Sequence, residues 1–167
     1  KQFNIDDEQF PPKQMQWFIS GCKEEAMRPA DVPVRDAESR KKAEIYQLYE
    51  EQCQREGVVD FGELMLRSYE ILRDYALVRQ HYQRRFRHIL VDEFQDTNRL
   101  QYLWLKMFVP ASDSGIAPNA VFAVGDDDQS IYAFRGARVG NMNDFVTELQ
   151  VKHHIKLEQN YRSYSNI

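Results

Sequence analysis

Apolar residues recur at helical spacing through the first half of the chain and gather into short unbroken runs in the second. Pro11-Pro12 precedes a stretch, Lys13 to Met27, that predicts a helix closed by Pro29. Residues 31 to 35 predict a loop. Ala37 to Arg55 predicts a long charged helix with Ile45, Leu48 and Tyr49 on one face, and Gly57 stands where a helix C-cap favours glycine. Asp60-Phe61-Gly62-Glu63 has capping-box spacing and opens a helix carrying Leu64, Met65, Ile71 and Leu72.

After Phe86 the texture changes. Ile89-Leu90-Val91 and Val121-Phe122-Ala123-Val124 are short apolar runs that end in acidic residues, with a helical stretch, Thr97 to Phe108, between them. Ile155-Lys156-Leu157 is a third candidate strand. Strands alternating with helices predict a parallel α/β sheet, and ligands of such sheets lie at the carboxyl ends of the strands. The expected organisation is a helical part over residues 1–87 and an α/β part over residues 88–167.

Composition narrows the class. The 167 residues are 43% hydrophobic and 29% charged, the content of a globular protein that buries a core. A formal net charge of −4 argues against a uniformly basic nucleic-acid coat but leaves room for a local basic groove. Cys22 and Cys53 fit neither a metal knuckle nor a disulfide frame, which points to a reduced, cytoplasmic compartment. No run is long enough to span a bilayer. The start without Met and the stop at Ser165-Asn166-Ile167 suggest a piece of something longer.

Three polar clusters carry chemistry. In Asp92-Glu93-Phe94-Gln95-Asp96-Thr97, a carboxylate at a strand tip suits Mg²⁺ held largely through water, and its neighbour suits a base that orients the attacking water. The plainer alternative is an acidic turn in which Asp96 or Thr97 caps the next helix. In Gly125 to Ala137, three acids beside Gln129 form a cluster able to sense a phosphate or its metal. Tyr132, Phe134 and Arg135 there offer stacking faces and a guanidinium to single-stranded DNA, the alternative being two core aromatics. Arg162, in Leu157 to Ser163, suits a γ-phosphate or, alternatively, a surface ion pair.

Together these clusters resemble the UvrD-like superfamily 1A DNA helicases, the UvrD, Rep and PcrA group, with a lean to the UvrD branch. Val91 to Asn98 resembles motif II, Val124 to Tyr132 through Ala137 motif III, and Leu157 to Ser163 motif IV. Gln9 to Gln14 and Val59 to Leu64 resemble the helical 1B subdomain. The resemblance implies a 1B-like subdomain over 1–87 and part of a RecA-like, P-loop NTPase sheet over 88–167. It implies an ATP- and Mg²⁺-dependent 3′-to-5′ helicase of repair and replication, acting on single strands and single-/double-strand junctions with repair proteins as partners. Asp92 would hold Mg²⁺ and Glu93 would be the catalytic base. Gln129 would contact the γ-phosphate, with Arg162 as arginine finger. Tyr132 and Phe134, the latter where many relatives carry Trp, would lie along DNA, and Arg135 would link the two sites.

The chain departs from the family pattern in one large respect: GxxxxGK[ST], the phosphate-cradling loop, does not occur in it. The isolated chain is therefore expected to be inactive. Residues 120–125 and 153–157 are expected to flank an empty sheet position, giving a shifted strand, a swapped oligomer or an exposed edge. A non-catalytic DNA- or protein-binding module is the second reading. A metal-dependent nuclease built on Asp92, Glu93, Asp96 and Asp126 to Asp128 is a third. Arg84 to His88 reads as a solvated helix end, His153-His154 as a surface pair, and Trp17 and Trp104 as core residues.

Overall fold

The computed structural model describes residues 5–126 and 140–159. Helices α1 (Pro12–Glu24), α2 (Ala37–Glu56), α3 (Phe61–Asp74) and α4 (Ala76–Arg85) lead into strand β1 (His88–Val91), helix α5 (Arg99–Met107), strand β2 (Ala120–Ala123) and helix α6 (Gly140–Glu148). The strands pair in parallel, His88 opposite Ala120 through Val91 opposite Ala123.

The local signals account for most boundaries. Pro12 begins α1, where its missing N–H costs nothing. Asp36 and Asp60 cap α2 and α3 by accepting from the N–H groups of Ser39 and Glu63. Gly57 ends α2 at φ +67°, a conformation that glycine adopts without steric cost. Asn98, rather than Asp96 or Thr97, caps α5: it exchanges two 2.9 Å hydrogen bonds with Gln101. Thr97 instead turns its hydroxyl back to the carbonyl of Phe94.

Among the described residues the core has three centres, one of them Phe10, Met15 and Ile45. Ile19, Cys22, Val32 and Tyr46 join α1 to α2. Phe94, Tyr102, Leu105 and Phe145 gather beneath one face of the sheet, against Ile89, Val91, Val121 and Ala123. α3 packs on α1, α4 and α5, and Trp104 reaches back to donate to Ser68 Oγ at 2.8 Å. The opposite face of the sheet is open, with Leu90 and Phe122 exposed.

Two expectations are corrected. Residues 151–159 form no strand; Ile155 and Leu157 are exposed and have no ladder partner among the described residues, so the expected third strand is absent there. Trp17 is 64% exposed. It lies off the buried stripe of Met15, Ile19 and Cys22, with the Lys13 ammonium 5.2 Å from its ring centroid.

Where α1, α2 and α3 meet, charge rather than hydrocarbon fills the space. The Lys23 ammonium, almost wholly buried, lies 2.8 Å from Asp60, 2.9 Å from Glu63 and 3.3 Å from Glu50. Arg28 grips Glu70 through two 2.6 Å bonds and also reaches Glu50 and Glu63. Burial pushes the Glu63 carboxyl up, but hydrogen bonds from Arg28, Lys23 and Arg67 outweigh this and hold it at about 2. For Glu50, burial prevails and its carboxyl is raised, Glu63 adding to the rise. A buried ammonium survives only with such partners.

Candidate active site at the carboxyl edge of the sheet

The strand β1 delivers Asp92 and Glu93 to the carboxyl edge of the sheet, both exposed. Parallel pairing places the end of β2 beside them. Val124 donates to the carbonyl of Val91 at 2.8 Å, and Phe94 donates to the carbonyl of Val124 at 2.9 Å. The 3₁₀ turn Phe94–Asp96 is pinned from below, since Phe94 is fully buried with its ring 4.9 Å from Phe145 and 6.3 Å from Tyr102. A single buried aromatic thus fixes the height at which two carboxylates stand in solvent.

Glu93 sits in the left-handed region, φ 50° and ψ 43°. A non-glycine residue there costs about 1–2 kcal/mol, and such strain gathers at functional positions. Its carboxylate is held: Gln95 Nε2 donates to Glu93 Oε2 at 2.7 Å. The same Gln95, buried itself, accepts from the backbone N–H of Asp126 at 3.1 Å through Oε1. The amide therefore ties the loop after β1 to the loop after β2. Sequence reasoning gave Gln95 no role; the available signal was an amide side chain two residues beyond Glu93, between Phe94 and Asp96 in one short turn.

Asp92 is an exposed carboxylate at a strand tip whose Oδ1 accepts from the Glu93 N–H at 3.0 Å. That fits an ion that keeps most of its water and takes few protein ligands. Asp96 Oδ1 is buried and has no hydrogen-bond partner among the described residues. Among those residues no group of three or more His, Cys, Asp or Glu side chains gathers as a metal site. Asp92, Glu93, Asp96 and Asp126 thus do not form the carboxylate cluster a two-metal nuclease needs. Gln129, Tyr132, Phe134, Arg135 and Arg162, with Asp127 and Asp128, lie outside the described residues.

Among the described residues no helix is long and apolar enough to cross a membrane. His153 and His154 are exposed.

Comparison with known proteins agrees with the motif reading. The model of the UvrD/REP helicase N-terminal domain matches residues 1–150. The chain is 48% identical to DNA helicase II of Haemophilus influenzae over its whole length, which covers 22% of that protein. It is 45% identical to DNA helicase II of Escherichia coli and 37% identical to the ATP-dependent DNA helicase UvrD1 of Mycobacterium bovis, again spanning 22% of each. On these grounds the chain belongs to the UvrD/REP helicase family, within its N-terminal domain.

Proposed function

We propose that this chain supplies the Mg²⁺-ATP hydrolysis residues and part of the single-stranded DNA track of an ATP-dependent 3′-to-5′ DNA helicase. The supporting observation is the meeting of the loops after β1 and β2 at one sheet edge, with Glu93 held by Gln95 and Gln95 held by Asp126. In this reading residues 1–87 are the 1B-like subdomain. Residues 88–167 are part of a RecA-like motor domain of the P-loop class, working in the cytoplasm on single strands and junctions in repair and replication.

Glu93 accepts the proton of the attacking water, and Gln95 fixes the carboxylate so that its free lone pairs face that water. Asp92 is the residue that would hold Mg²⁺, which supplies charge neutralisation on the phosphates. Gln129 reads the γ-phosphate, and Arg162 offsets charge developing on it. Tyr132 and Phe134 stack on bases while Arg135 contacts the backbone. Without GxxxxGK[ST] the isolated chain does not turn over ATP.

DNA-stimulated ATP hydrolysis tests the proposal, comparing this chain with a version extended to the length of its relatives. The expected result is turnover by the extended protein alone. An extended protein that is inert with DNA, ATP and Mg²⁺ would return the chain to the reading of a non-catalytic DNA- or protein-binding module.

A further inference from the structure

Between Asp74 and Asp92 the chain carries no acidic residue. That stretch holds Arg79, His81, Arg84, Arg85, Arg87 and His88, in a chain whose formal net charge is −4. It covers α4 and β1, and its basic part ends at His88, at the amino edge of the sheet. At about 3.3 Å per residue, β1 sets His88 roughly 13 Å from Asp92.

The packing turns most of these groups outward. Gln83, buried, donates to the carbonyls of Met107 and Val109 and so marks the inner side of α4. Arg79 is turned to the carbonyls of Leu72 and Arg73. His81, Arg84 and Arg85, spaced three and four apart, share the outer side and are exposed, as are Arg87 and His88. Among the described residues none of Arg84, Arg85 and Arg87 has an ion-pair partner. The carboxylates of the neighbouring α3 are already engaged, Glu63 and Glu70 by Arg28 and Asp74 by Arg73. Helix α5 contributes none. A helix C-terminus favours cations in its last turn, which accounts for Arg84 and Arg85 but not for Arg87. Beside them Tyr82 and Phe86, 38% and 40% exposed, stack with ring centroids 5.7 Å apart, backed edge-on by Phe108.

We infer that this outer side of α4, with the start of β1, is a contact for single-stranded nucleic acid, made without regard to sequence. Arg84, Arg85 and Arg87 hold phosphates, each contact releasing counterions from the strand. Tyr82 and Phe86 offer ring faces beside them. The bases of a single strand can stack on such faces, whereas those of a duplex are closed within their own helix. The contact lies at the opposite edge of the sheet from Glu93, so the inference does not rest on the proposed ATPase site.

The test uses the 167-residue chain and a fluorescent oligothymidylate of about sixteen nucleotides, followed by anisotropy over a range of salt. The parent chain is expected to bind it. Arg84→Ala, Arg85→Ala and Arg87→Ala together should weaken binding about tenfold or more. They should also lower the slope of log affinity against log salt by about 2, at about 0.7 per phosphate contact. Arg35→Ala, Arg40→Ala and Arg55→Ala together remove the same charge from exposed positions on and beside α2, and should change affinity less than threefold. The same pattern is expected in a chain already carrying Tyr132→Ala and Arg135→Ala, which tells this contact apart from the proposed DNA track. That chain should bind a duplex of equal length at least fivefold more weakly than the single strand. No binding, an unchanged slope, equal losses in the two triple variants, or equal affinity for single strand and duplex would overturn the inference.

Discussion

Gln95 donates its side-chain amide to Glu93 Oε2 at 2.7 Å, and the opposite end of the same amide takes the N–H of Asp126 at 3.1 Å. Two loops that are remote in sequence are thereby locked by one buried side chain. A hydrogen bond to a charged group contributes about 1.5–3 kcal/mol and a neutral one about 1. Gln95→Ala is expected to destabilise the chain by about 2–3 kcal/mol in urea denaturation. In a version extended to the length of its relatives, it should lower kcat for ATP hydrolysis by tenfold or more with little change in KM.

The left-handed backbone of Glu93 makes a separate prediction. Glu93→Ala and Glu93→Gly both remove the carboxylate, but only glycine relieves the conformation. Glu93→Gly should therefore be more stable than Glu93→Ala by about 1 kcal/mol, measured by thermal denaturation. Equal stabilities would mean that the strain is not present in solution.

The buried charge cluster sets an acid limit on stability. The folded carboxyl of Glu63 lies at about 2, below its usual value, so its stabilisation is present above about pH 4.5 and is lost as pH falls toward 2. Glu50 runs the other way: its carboxyl is raised, so its ionised form is disfavoured in the fold at neutral pH and protonation relieves that. At pH 7, Glu63→Gln should cost about 3 kcal/mol, whereas Glu50→Gln should cost less than half as much. Melting curves from pH 7 to pH 2 check both, and the Glu63→Gln curve should be the flatter across that range.

The two tryptophans separate in the same way. Trp104 packs edge-on against Phe108 with ring centroids 4.6 Å apart and donates to Ser68, so Trp104→Ala should cost about 3 kcal/mol or more. Trp17→Ala, at an exposed position, should stay within about 0.5 kcal/mol of the parent. Chemical denaturation of the two variants distinguishes them.

Features governed by nearest neighbours were readable in the chain. Pro12, Asp60 and Gly57 mark helix ends through their own backbone chemistry, and Ile89 to Val91 and Val121 to Ala123 carry enough apolar density to declare strands. What depended on distant partners was not readable. Ile155-Lys156-Leu157 has the composition of a strand but no ladder partner among the described residues. Trp17 has the composition of a core residue but lies off the buried face of α1. The Lys23–Arg28–Glu50–Glu63–Glu70 cluster exists only because three helices bring its members together, and no spacing along the chain announces it. At the candidate site, Asp92 and Glu93 stand out in the sequence from their place after an apolar run, and the fold brings them to the carboxyl edge of the sheet. Gln95 does not stand out, because its role appears only once Asp126 is brought alongside.

The most direct test of the site is single-turnover ATP hydrolysis by the extended protein carrying Glu93→Gln, with single-stranded DNA present. With Glu93 as the base, the chemical step should slow by a thousandfold or more, the upper part of the span for general-base catalysis, while binding of ATP and DNA is retained. Hydrolysis within threefold of the parent rate would contradict the assignment and move the base elsewhere.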